Sequence, residues 1–217
     1  MKRNIIIDLD GTFIDTHKRI QKHVNLLYPD FSMENVHTYD FNKSLKDLPK
    51  LNDYFDEGII KDILNNNFDT SLKAPRSFIL KSLSDESIFK ESKPFDKAVE
   101  NVKKLMNNER FHIVFNSTAY SSKIASVKYQ QLIELYPDEK YTISVSIGEK
   151  PLYYNSPIVI EDSLDELDRY LKANIKGDYY LIDKPYNQEI FNPKYSKLFE
   201  NIKRVKDINE AILNIIL

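Results

Sequence analysis

The 217 residues carry 31 Lys and Arg against 33 Asp and Glu, a formal net charge of −2, which excludes the basic surface of a protein that coats nucleic acid or an anionic membrane. Cysteine is absent, so disulfides, thiolate catalysis and zinc–thiolate sites are excluded as well. The opening Met-Lys-Arg-Asn is followed by only three isoleucines and no window approaches the roughly 20 apolar residues of a membrane span, so a soluble cytoplasmic protein is expected.

The first predicted element is a strand. Ile5, Ile6 and Ile7 are β-branched with no polar face between them, as in a strand buried on both sides of a parallel sheet. The run stops at Asp8, Asp10 comes two residues later, and Gly11 permits a sharp turn. Carboxylates at the carboxyl end of a buried parallel strand stand where open α/β sheets bind ligands. Their mutual repulsion is tolerable when a divalent cation holds one and a proton resides on the other for part of a cycle. Hard oxygen ligands with no Cys or His beside them suit Mg²⁺. One carboxylate can attack phosphorus while the other protonates a leaving oxygen. A solvated Asp-Gly turn is the plain alternative. A calcium loop fails on the spacing of its glycine and its bidentate Glu.

From about Asp15 to Ser92 the pattern is helical. Its segments are Ile20, Val24, Leu27 and Tyr28 ahead of Pro29, then Leu51 to Leu64, then Arg76 to Leu83 after Pro75. No strand is predicted there, and the segment reads as a helical insertion. From Lys93 strands and helices alternate. A helix is expected over Phe95 to Asn107, a strand over Phe111 to Phe115, and a helix over Ser121 to Leu135. A strand over Tyr141 to Ile147 and the loop Gly148-Glu149-Lys150-Pro151 follow. An apolar run from Pro157 to Ile160 ends on Glu161-Asp162, and Ser163 caps a helix from Leu164 to Leu171. A strand over Tyr179 to Ile182 and a helix over Asp207 to Ile216 close the series, which predicts an α/β fold with a parallel sheet.

Other predicted strand ends and loops offer groups that phosphoryl transfer needs. Past the strand at Phe115, Ser117 presents a hydroxyl and a backbone N–H to a phosphate oxygen, and Thr118 adds a second hydroxyl; both residue types also serve as ordinary turns and caps. Lys150 could neutralise both a phosphate and the Asp8 carboxylate. Glu161-Asp162 places carboxylates at the end of a buried run, where they are seldom found without a partner. His17, His23, His37 and His112 have no partner at a recognisable spacing.

Taken in order, Asp8-x-Asp10-x-Thr12, then Ser117, then Lys150, then Glu161-Asp162 resemble the four motifs of the haloacid dehalogenase (HAD) superfamily. The resemblance implies a HAD-like, Rossmannoid, doubly wound parallel sheet from residues 1–14 and 94–217, with a small helical cap inserted at 15–93. It implies Asp8 as nucleophile, Asp10 as general acid/base, and Ser117, Thr118 and Lys150 as phosphate binders. Mg²⁺ would be held by Asp8, the backbone carbonyl of Asp10 and Asp162, with Glu161 either an alternative ligand or a group orienting the site.

Within the superfamily, Ile88-Phe89, Lys93-Pro94 and Ala98 are similar to the cap-to-core return of the 5′(3′)-deoxyribonucleotidases of bacterial and phage type, although Lys97 stands where those carry glycine. Leu181-Ile182-Asp183-Lys184-Pro185-Tyr186-Asn187 is similar to another of their segments, and Tyr39-Asp40-Phe41 to their cap signature. The activity implied is Mg²⁺-dependent hydrolysis of (deoxy)nucleoside monophosphates through an aspartyl-phosphate, with Phe41 and Phe89 meeting the substrate from the cap. A sugar phosphate or another small phosphomonoester is the alternative substrate. A non-catalytic phosphate- or metal-binding regulator is the alternative from a different class. Neither a nucleic-acid polymer nor a membrane is an expected partner, and a homodimer is compatible with the sequence.

Overall fold

Three consecutive apolar β-branched residues need cover on both faces, and the sheet supplies it. The computed structural model describes residues 2–25, 32, 34, 86–188 and 202–217. In it β1 (Arg3–Ile7) lies between β2 (Phe111–Thr118) and β4 (Ile158–Glu161), parallel to both. With β3 (Tyr141–Ser146), β5 (Asp178–Ile182) and β6 (Ile202–Val205) these form a six-stranded sheet of order β3-β2-β1-β4-β5-β6, every ladder parallel. The described helices are α1 (Thr16–Val24), α2 (Glu86–Glu91), α3 (Ala98–Met106), α4 (Ser122–Leu135), α5 (Leu164–Lys172) and α6 (Ile208–Ile216).

The pleat sorts the side chains of β1 between two layers. Ile5 and Ile7 pack with Ala98, Val102 and Leu105 of α3 and with Ile208, Ala211 and Ile212 of α6. Ile6 points to the opposite face and joins Leu164, Leu167 and Tyr170 of α5. Helices therefore cover both sides, and the α/β, doubly wound parallel sheet expected from the sequence is what the chain adopts. Among the described residues no helix is long and apolar enough to cross a membrane.

Several boundaries differ from the sequence-based expectation. β2 runs on through Asn116, Ser117 and Thr118, because these residues continue the ladder with Ser144, Val145 and Ser146 of β3. Polar side chains at a strand end had the look of a turn. The edge strand β6, Ile-Lys-Arg-Val, was not anticipated; its charges and shortness suit an edge, where they discourage pairing with other chains. The six-residue α2 is too short to show a helical period. α1 starts four residues before Ile20, with Asp15 Oδ1 accepting the backbone N–H of Lys18 at 3.0 Å. The helices expected over Leu51–Leu64 and Arg76–Leu83, and Phe41 with its neighbours, lie outside the described residues.

The chain leaves and returns to the sheet layer as a pair. Phe95 donates its backbone N–H to the Phe13 carbonyl at 3.0 Å, and Asp15 donates to the Lys93 carbonyl at 2.9 Å. Parallel strands all end at one rim. Asp8 follows β1, Ser117 and Thr118 end β2, and Glu161-Asp162 close β4, so distant segments deliver polar groups to the same edge.

Candidate active site

Asp8 continues the register of β1 by donating its backbone N–H to the Ile160 carbonyl at 3.1 Å, which places its side chain beside the end of β4. Lys150 arrives from the loop after β3. That loop is held by the Asn116 side chain, which donates to the Pro151 carbonyl at 3.1 Å, and by Arg169 of α5, which donates to the Lys150 carbonyl at 2.9 Å. The Lys150 ammonium, itself buried, bridges Asp8 Oδ1 at 2.6 Å and Glu161 Oε2 at 2.7 Å. The other oxygen of Glu161 accepts the backbone N–H groups of Asp162 (3.0 Å) and Ser163 (3.2 Å), so both ends of this carboxylate are engaged.

Asp162 is fully buried. Its Oδ2 accepts the Tyr186 hydroxyl, and its backbone carbonyl accepts from the Asn187 side chain at 2.9 Å. Among the described residues its Oδ1 has no hydrogen-bond partner. A buried carboxylate oxygen without a donor is costly. Asp8, Glu161 and Asp162 each offer an oxygen within 4.8 Å of the others, a cluster that could hold a cation. Burial, the first cause, pushes all three carboxyls up, Asp8 to about 7, Glu161 to about 8 and Asp162 to about 6. Repulsion adds to the rise, from Glu161 on Asp8, from Asp162 on Glu161 and from Asp8 on Asp162. The Lys150 ammonium is driven well above its ordinary value by Asp8 and Glu161, against the opposing effect of its own burial.

The turn that carries the second carboxylate is tight. Phe13 and Ile14 both donate to the Leu9 carbonyl, at 2.9 and 2.7 Å, and Gly11 adopts φ +76°. Asp10 stands on the far side of Asp8 from Glu161, and its Oδ2 accepts the Ser117 hydroxyl at 3.3 Å and the Lys128 ammonium. Ser117 and Thr118 thus sit next to Asp10, and Thr118 lines the same cavity, of about 260 Å³, as Asp8, Asp10 and Lys150. Phe89, from α2, also lines it.

The expected residues other than Phe41 therefore converge. Three contributors were not anticipated. Lys128 of α4 is one, and the signal was there: Ile124, Val127, Lys128 and Leu132 share one buried helical stripe, where a lysine is out of place. Tyr186 and Asn187 are the others; they entered the sequence reading only as part of a likeness, whereas here they grip Asp162. His17 lines the cavity edge-on to Tyr186, with ring centroids 5.1 Å apart, and burial lowers its imidazole to about 4, keeping it neutral.

No family model matches the sequence. Solved structures do match over nearly the whole chain. The magnesium-bound HAD-hydrolase YfnB of Bacillus subtilis aligns with a TM-score of 0.55 and 12% identity, covering 100% of this chain and 99% of that one. The HAD-like hydrolase SP0104 of Streptococcus pneumoniae gives 0.51 and 13%, covering 99% and 97%. A subfamily IA HAD hydrolase of Geobacter sulfurreducens gives 0.51 and 11%, covering 99% and 96%. The chain has the HAD-like fold. Among curated sequences, the MjaVIIIP type I restriction enzyme endonuclease subunit of Methanocaldococcus jannaschii is 26% identical over 238 aligned positions. The match takes in 99% of this HAD-like chain, which spans about a fifth (19%) of that protein.

Proposed function

We propose that this protein is a Mg²⁺-dependent phosphomonoester hydrolase that works through an aspartyl-phosphate on Asp8, with (deoxy)nucleoside monophosphates as its substrates. One observation carries the reading. Asp8, which follows the inner strand, is held by Lys150, and Asp10 is paired with Lys128, all four lining one cavity, while Ser117 reaches Asp10 and Lys128 by hydrogen bonds.

The residues fit a divalent cation. Asp8, Asp10, Glu161 and Asp162 bring four carboxylates, against the two ammonium groups of Lys128 and Lys150 paired with them. With all four ionised, they would exceed those ammonium groups by two charges, which one such ion would neutralise. Asp8, the orphaned Asp162 Oδ1 and the Asp10 carbonyl would hold it, while Glu161, saturated by Lys150 and two backbone N–H groups, orients the site. When bound, Mg²⁺ supplies positive charge that lessens the repulsion between a carboxylate nucleophile and a phosphate dianion.

The chain's own residues divide the remaining work. An Asp8 oxygen attacks phosphorus as the ester P–O bond breaks, and Asp10 delivers a proton to the departing sugar oxygen. Asp10 next takes a proton from the water that hydrolyses the acyl-phosphate, which returns Asp8 and releases inorganic phosphate. Lys150 keeps Asp8 aimed and offsets charge on the phosphoryl oxygens, and Ser117 with Thr118 donates to them. Phe89 and Tyr120 on the cavity wall give a planar base apolar surface to lie on, which together with the likeness of residues 181–187 supports a nucleotide.

A phosphate-release screen with Mg²⁺, over deoxy- and ribonucleoside 5′- and 3′-monophosphates, sugar phosphates and a short DNA duplex, tests this reading. Turnover of monophosphates is expected. Turnover confined to sugar phosphates would remove the nucleotide, cleavage of the duplex alone would favour the chemistry named for the archaeal relative, and silence throughout would remove the hydrolase. Asp8→Asn should abolish turnover with the fold preserved, since shape is kept and Lys150 retains Glu161 as its partner.

A further inference from the structure

Lys128 lies on the buried face of α4 and is only 2% exposed. An ammonium in that position is costly unless it is paired. Helical side chains lean toward the helix N-terminus, and α4 begins just after β2, so the Lys128 stem carries its nitrogen back over the end of that strand. There Nζ meets the Asp10 carboxylate, the Ser117 hydroxyl at 3.0 Å and the Thr118 carbonyl at 2.5 Å, with the Phe89 ring centroid 5.0 Å away. Lys150 serves Asp8 and Glu161 on the other side, and both lysines line one cavity.

We propose that Lys128 is a second cation of the phosphoryl site, shared between Asp10 and the incoming phosphate. This deepens the phosphatase reading and rests on it. An oxygen that accepts from Ser117 enters the neighbourhood of Nζ, because the same Ser117 oxygen lies at hydrogen-bond distance from that nitrogen, and the Nζ donor now given to Ser117 is the one that turns to the phosphate. A phosphate dianion also adds two negative charges beside Asp8 and Asp10, and among the described residues Lys128 pairs with Asp10 whereas Lys150 pairs with Asp8 and Glu161. A lysine present only to fill the helix–sheet interface would have no reason to end among acceptors at the strand terminus.

Calorimetric titration of inorganic phosphate into the full chain in Mg²⁺ tests this without requiring turnover. Lys128→Met should weaken phosphate binding by about tenfold or more, the scale of a lost charge-assisted hydrogen bond, and Lys128→Arg should recover part of the loss. The decisive comparison is made in an Asp10→Asn background. There Lys128→Met should still weaken binding several-fold; a loss that vanishes means Lys128 serves Asp10 alone and overturns the proposal. Unchanged affinity in Lys128→Met overturns it too. Should the Met variant not fold, Lys128→Gln, which keeps hydrogen bonding and drops the charge, replaces it. A wild-type chain that binds phosphate yet hydrolyses no ester removes the hydrolase reading and leaves Lys128 to be judged by affinity; one that binds no phosphate overturns both.

Discussion

Removing the Lys150 ammonium leaves Asp8 and Glu161 buried with no cation between them. Breaking a buried pair in this way costs about 3–5 kcal/mol. Lys150→Met is therefore expected to lower both kcat, by about two to three orders of magnitude, and the melting temperature. The stability deficit should shrink as pH falls, because protonated carboxyls need no partner. A deficit independent of pH would mean that Lys150 acts through packing. Gly11 is equally exposed to substitution. At φ +76° a side chain is strained, and a Cβ there would stand 2.3 Å from Asp162 Oδ2 and 2.6 Å from His17 Cε1. Asp162 cannot swing aside without releasing Tyr186. On the proposed metal site, Gly11→Ala should thus raise the Mg²⁺ concentration needed for half-maximal turnover by about tenfold or more, each tenfold being about 1.4 kcal/mol. A Mg²⁺ titration superimposable on wild type would show that the turn yields instead.

The turn Pro185–Asn187 after β5 orients the end of β4 through one side chain. Asn187 donates to the Asp162 and Ile182 carbonyls at 2.9 and 2.7 Å, and its oxygen accepts the Lys184 backbone N–H at 3.1 Å. Asn187→Ala orphans several buried backbone groups at once, so a loss of about 2–4 kcal/mol is expected in denaturant unfolding. Activity should fall more than that of an exposed control such as Gln188→Ala, and equal effects would detach the turn from Asp162. This element also marks how far the sequence could be read. Asp8, Asp10, Lys150, Glu161 and Asp162 were legible because each breaks an apolar run or follows one closely, and local pattern reveals such breaks. Lys128 lies in phase with Ile124 and Leu132 on the buried face of its helix, a placement that counting the helical period reveals. Asn187 and Tyr186 are different: their partner is Asp162, more than twenty residues upstream, and periodicity carries no record of so distant a contact. β6 escaped because two of its four residues are charged.

At the scale of the whole molecule, the buried carboxylate cluster carries an electrostatic cost that a bound cation would relieve. In an unfolded chain the three clustered carboxyls would ionise near roughly 4, whereas in the fold they are held at about 6 to 8. The folded state thus binds more protons than the unfolded one across that interval, so their contribution to stability is complete at low pH and is lost as pH rises through about 6 to 8. His17, lowered to about 4, works in the opposite direction but is one group against three. Chelator-treated protein should therefore melt at lower temperature at pH 8 than at pH 5.5, and added Mg²⁺ should flatten the trend; a rise with pH in its absence would contradict the cluster.

The register of β1 has a further meaning. Arg3 pairs with Phe111 and Ile5 with Ile158, so this strand is synthesised long before either neighbour exists. Until those segments emerge, three isoleucines wait with no ladder to join and must avoid adhering to other chains. The longest-range pairings are also the ones that gather the groups of the candidate site, so a half-folded chain has no such site.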